Sequence, residues 1–166
     1  MIRKAISIAF IGVMFIACSN KTPEQRANEL LSTFPLNVGN VTKLDSVIGY
    51  QEAFAMRLKA DSIHLAIDSF VSERVNTLTA LREMGQTEKV DSLARATQSS
   101  AIAMAQEALG LRQDANSMEF NNEVDGKPKD FLGYRYISHN DSCEYEIYFD
   151  PAVNQILGYS RHNNKK

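Results

Sequence analysis

From Lys43 to Met84 the chain has no proline, and Gly49 alone interrupts a helix-forming composition. A continuous helix over this stretch would be about 60 Å long. A compact domain of this size is only about 40 Å across. The apolar positions form two stripes rather than one. At 100° per residue, Val47, Phe54, Leu58 and Leu65 fall within about 20° of a common direction. Met56, Ile63, Ile67, Phe70, Leu78, Leu81 and Met84 cluster on nearly the opposite side. The crossover lies near Ala60-Asp61-Ser62. Either one long helix changes partner there, or it breaks and Asp61 or Ser62 caps a restart. Nothing at positions 59–62 is a strong breaker, which favours continuity.

Gly85-Gln86-Thr87 reads as a turn, with Gly85 as the left-handed residue after a helix and Thr87 as the next N-cap. Glu88 to Leu109 is then a helix closed by Gly110. Val90, Leu93, Ala94, Thr97, Ala101, Met104, Ala105 and Ala108 share one face, and its small residues allow close helix approach. Residues 62–84 and 88–110 are expected to form an antiparallel hairpin. Upstream, Thr22-Pro23-Glu24-Gln25 is a capping box with proline at the first helical position, so a short helix runs from Pro23 to about Ser32. Phe34-Pro35 stops it.

After Gly110 the period shortens to two. Met118, Phe120 and Val124 alternate with polar residues, and Asp125-Gly126 is a turn signal. Phe131–His139, Cys143–Phe149 and Gln155–Ser160 read as further strands, joined by Asn140-Asp141 and by Asp150-Pro151-Ala152-Val153-Asn154. If Ser138 opposes Cys143, one face carries Leu132, Tyr134, Tyr136, Tyr145, Ile147 and Phe149. The other carries Arg135, Ile137, Glu144, Glu146 and Tyr148, with Arg135 opposite Glu146. The aromatic face needs a cover, for which the upstream helices are available. The fold class is therefore α+β. A long helical hairpin precedes a C-terminal antiparallel meander of three or four strands, with residues 23–112 helical and 113–166 forming the sheet of one domain.

The first residues carry a different message. Arg3 and Lys4 precede an uninterrupted apolar and small-residue run from Ala5 to Ala17. As a helix that run is about 20 Å long, against about 30 Å for a bilayer core, so it reads as an export signal rather than a span. It ends in Phe15-Ile16-Ala17-Cys18, which resembles the lipobox of bacterial lipoproteins. Phe15 departs from the commoner leucine. The resemblance implies removal of residues 1–17, a diacylglyceryl thioether on Cys18, an acyl group on its new amine, and a lipidated tether over residues 18–22. Ser19 rather than aspartate follows the cysteine. By resemblance to sorting in Gram-negative lipoproteins, that implies the outer membrane.

Removing 17 residues from 166 leaves 149, with 16 basic against 20 acidic side chains and a net charge of −4. Such a chain, without a basic block, is a poor nucleic-acid binder. With Cys18 taken by the lipid, Cys143 is the one cysteine left, so no internal disulfide framework is expected. His64 and His162 have no second ligand at helical or hairpin spacing, and there is no phosphate loop, nucleophile elbow or zinc signature. No cofactor, metal or catalytic set is expected. The expectation is a non-catalytic envelope protein, held to the membrane through Cys18, that binds or scaffolds a protein partner. The alternative is a small ligand-binding module using the outer sheet face, with Arg135, Ile137 and Tyr148 as the candidate surface. An enzyme ranks last.

Overall fold

The computed structural model describes residues 21–139 and 143–163. The stretch read as an export signal, Cys18 and the turn expected at Asn140-Asp141 lie outside them. The fold is α+β. Its elements are α1 (Pro23–Ser32), β1 (Asp45–Gly49), α2 (Gln51–Glu83), α3 (Thr87–Val124), β2 (Asp130–His139), β3 (Cys143–Phe149) and β4 (Ile156–Asn163). The strands form one antiparallel sheet in the order β1-β2-β3-β4. Two long helices are thus inserted between neighbouring strands β1 and β2.

The capping box at α1 is formed as its sequence implies: the Thr22 hydroxyl accepts from the Gln25 amide, and the Gln25 side chain accepts from the Thr22 amide. Two helical expectations are corrected. Residues 45–49 are not part of the long helix. Pairing with β2 claims Val47 and Ile48 as strand, and the helix begins only after Tyr50. From there α2 is continuous through Asp61. The second helix does not stop at Gly110 but runs to Val124, so Met118, Phe120 and Val124 are helical. An interior glycine costs about 1 kcal/mol against alanine, which flanking helix formers and packing can offset. The boundary between helical and sheet regions therefore falls near residue 125, not 112. Gln86, not Thr87, is the N-cap of α3, while Gly85 is left-handed as expected.

The sheet register is shifted by two residues from the expected one: Ser138 faces Tyr145 and Arg135 faces Tyr148. An even shift keeps every side chain of β3 on its assigned face, so Tyr145, Ile147 and Phe149 are core. Leu132 is the exception. Val47 pairs with Gly133 and Ile48 with Phe131, so Leu132 is the extra residue of a bulge. It lines the opposite side of the sheet, beside Arg135 and Tyr148. The fourth strand starts and ends later than Gln155–Ser160, at Ile156–Asn163.

The cover of the aromatic face is α1 with the segment after it, not the hairpin. Ala27, Leu31, Val38 and Val41 pack with Cys143, Tyr145, Ile147, Phe149 and Val153, flanked by Phe34, Tyr134, Tyr136 and Tyr159. Polar contacts stitch the covering segment down. The Asn28 amide donates to the Val41 carbonyl and accepts from its N–H, while Tyr136 and Ser138 hydroxyls donate to the Val38 carbonyl. Arg26 donates to the Ala152 carbonyl and ties α1 to the β3–β4 turn. In that turn the Asp150 carboxylate accepts from the amides of Ala152, Asn154 and Gln155, which holds Val153 left-handed at φ 53°. Burial works against the charged form, but these backbone donors outweigh it and set the Asp150 pKa below its ordinary value.

The two stripes of α2 have two partners at once. Leu58 meets Gly158 of β4 and Phe54 meets Tyr148 of β3, while Ala53 and Ala60 are buried on the other side toward α3. The hairpin is pinned by ion pairs between Arg57 and Glu119, Lys59 and Glu107, and Asp61 and Arg112.

Candidate functional site

Two features remain once the core is accounted for: a wedge at the base of the hairpin and the outer part of the hairpin itself. The wedge follows from chain direction. Helix α2 starts at the end of β1 and crosses the sheet to lie on β4, leaving a hollow of about 290 Å³ over β1 and β2. Its apolar wall is Val47, Ile48, Tyr50, Phe54, Leu132 and the ring of Tyr148. Phe54 meets the Tyr148 ring edge-on at 5.5 Å.

Its charged lining is Arg57, Glu119 and Arg135, with Asp45, Glu146 and Lys43 standing next to them. Arg57 of α2 donates to Asn116 at 2.8 Å and to Glu119 at 2.6 Å, both on α3. Arg135 of β2 lies 3.8 Å from Asp45 and 3.9 Å from Glu146, within ion-pair range but too far for hydrogen bonds. The Nε of each arginine is buried without an acceptor among the described residues. Asp45 is engaged by Lys43 at 2.9 Å, and that contact, aided by Arg135, lowers its pKa. Glu146 accepts from the Tyr148 hydroxyl at 2.6 Å.

Burial, then the Glu146 hydrogen bond and charge, hold the Tyr148 hydroxyl far above the ordinary 10.0. A group whose folded pKa is raised contributes stability in full below its unfolded pKa and loses it as pH climbs toward the folded one. Tyr148→Phe should therefore flatten the decline in unfolding midpoint above about pH 10. Superimposable alkaline profiles for the two proteins would place the hydroxyl in water instead.

Of the residues singled out in sequence, Arg135 and Tyr148 meet in this wedge. Ile137 is half-buried on the same face but does not line it. That face is not the open surface expected of it, because α2 lies across it. Arg57, Phe54 and Glu119 were not foreseen. Their signal was the second apolar stripe of α2, which required a second partner. The structure also brings His64 and His162 together with Asp61, Asp68 and Arg112 around a hollow between α2 and β4. Among the described residues, however, no three of His, Cys, Asp or Glu are placed to hold a metal ion. Cys143 is buried in the core beneath α1, away from the wedge.

The outer hairpin is the second feature. The sheet reaches α2 from Phe54 to about Asp68. Beyond that, between Asp68 and Glu107, Val90 is the one buried side chain. Phe70, Leu78, Leu81, Leu93 and Met104 are half-covered, and Val75, Met84 and Ile102 are exposed. On α3, Ile102, Leu109 and Phe120 lie within about 20° of one another and opposite the face that packs on α2. Two helices alone can bury only the seam between them. Amide hydrogen exchange should accordingly quicken from Ala60 and Ala108 toward Gly85, with protection near the tip well below that of β3. Uniform protection along both helices would contradict this gradient.

No described helix is long and apolar enough to cross a membrane. Compared with protein-family models, with curated proteins and with solved structures, the chain matches none.

Proposed function

We propose that this chain is an exported, lipid-anchored protein of the cell envelope, at the outer membrane, whose helical arm binds or scaffolds a protein partner without catalysis. The anchor reading rests on Arg3, Lys4, the short apolar run and Phe15-Ile16-Ala17-Cys18. The observation that carries the binding reading is the arm. A pair of helices that leaves Val75, Met84, Ile102 and Leu109 in water spends apolar surface that folding alone does not use.

Cys18→Ser should release the protein from the detergent-extracted membrane fraction, since two to three acyl chains anchor far more firmly than one. Retention of the serine variant in that fraction would reject the anchor. For the arm, a photo-crosslinking residue at Ile102 or Leu109 should give a discrete adduct in intact envelopes. The same residue at exposed Gln155 should not. Equal labelling from all three positions would reject the arm as the binding element.

A further inference from the structure

The wedge at the base of the arm carries an inference separate from the partner reading. Arg135 is unusual in what surrounds it. Its two carboxylate neighbours, Asp45 and Glu146, stand at 3.8 and 3.9 Å, and each is already engaged, one by Lys43 and the other by the Tyr148 hydroxyl. The guanidinium thus has compensating charge nearby but, among the described residues, no acceptor within hydrogen-bond distance of its fork of donors. Arg57, facing the same hollow from α2, gives one terminal nitrogen to Asn116 and Glu119 and keeps its buried Nε without an acceptor. Between the two cations lie aromatic and aliphatic walls.

We propose that this wedge binds a small monocarboxylate with an apolar or aromatic body, its carboxylate forked by Arg135 and its body resting on Phe54, Tyr148 and Val47. Planar bidentate pairing with a guanidinium is what a carboxylate does best. A dianion such as phosphate fits worse, because Asp45, Glu146 and Glu119 already answer Lys43 and the two arginines charge for charge. The volume of about 290 Å³ sits at the lower limit for ligand pockets and restricts the body to about the size of one ring.

The test uses the full chain in detergent micelles, uniformly labelled with ¹⁵N, and titrates phenylacetate against phenylacetamide, its neutral counterpart. Phenylacetate should shift the Arg135 and Arg57 Nε–H resonances saturably, and the amide should bind at least about tenfold more weakly, the effect of losing one charge-assisted pair. Arg135→Gln should weaken phenylacetate by a similar factor while the Leu31 and Ile147 resonances of the main core stay in place. The acid–amide comparison in the unmodified protein stands even if that variant loosens the sheet. Equal binding of acid and amide would overturn the proposal. So would saturable shifts confined to other hollows, or no saturable shift with phenylacetate. None of these failures bears on the arm, which is read by crosslinking at its own residues.

Discussion

Gly133→Ala should lower stability by about 2–6 kcal/mol, the sum of a backbone held where only glycine is at ease and an overpacked contact. Gly133 has φ 137°, and a Cβ there would stand 2.1 Å from the Phe149 carbonyl oxygen and 3.2 Å from the carbonyl carbons of Phe149 and Asp150. These are backbone atoms of the paired strand, so no side chain can rotate out of the way. The bulge at Leu132–Gly133 also decides what the sheet presents: it turns Leu132 into the wedge beside Arg135 and leaves Tyr134 and Tyr136 under α1. A typical domain has about 5–15 kcal/mol of stability in all, so the variant should be at or near the edge of folding. Gly126→Ala is the matched control. Gly126 is also at positive φ, 68°, but has open space around it, and its cost should be about 1–2 kcal/mol. Thermal and denaturant unfolding of both variants measures the difference. Equal losses would mean that the close approach to Phe149 is relieved by a small shift of β3.

Local chemistry was readable in the sequence, while partner choice was not. The α1 cap, the left-handed Gly85 and the limits of β3 depend on a few adjacent residues, and each is found where the sequence places it. The strand β1 was missed because Asp45–Gly49 sits among helix formers and becomes a strand only by pairing with Asp130–Arg135, some 85 residues away. The two-residue offset between expected and observed register has a related cause. Alternation has a period of two, so an even slip leaves every face intact and invisible to pattern reasoning. The cover of the aromatic face could be narrowed only to the upstream helices, of which α1 provides it, since amphipathicity shows that a face is buried but not against what. The candidate site shares this division. Arg135 and Tyr148 could be named from one hairpin's alternation. Arg57 and Phe54 could not, because they reach the wedge only through the path α2 takes across the sheet. The doubled stripe on α2 recorded both of its partners.

The side of α2 that faces α3 is where the hairpin is most vulnerable. Ala60 and Ala108 are both fully buried, and the Lys59–Glu107 ion pair at 3.1 Å sets them at the same level of the two helices. Small side chains at that level let the helix axes approach closely. Ala108→Glu would place a carboxylate in the seam with no cation assigned to it, and an uncompensated buried charge costs about 3–5 kcal/mol. The core under α1 shares no buried residue with this seam, so the expected result is selective. Most of the helical circular dichroism should disappear at moderate temperature, because α2 and α3 together span 71 residues, 33 in one and 38 in the other. The near-ultraviolet signal of the tyrosines packed with Phe149 should persist. Ala105→Glu is the comparison, since Ala105 is exposed on the same helix one turn away, and its effect should stay within about 0.5 kcal/mol. Ala101→Glu should fall between them, because Ala101 is half-covered and a glutamate there can reach water. If the Ala108 and Ala105 variants lose helix at the same temperature, the close seam is wrong, and the arm is held by its ion pairs and its footing on the sheet. If instead helix and tyrosine signals vanish together, arm and sheet unfold as one cooperative unit, and the separation of the two cores has no energetic meaning.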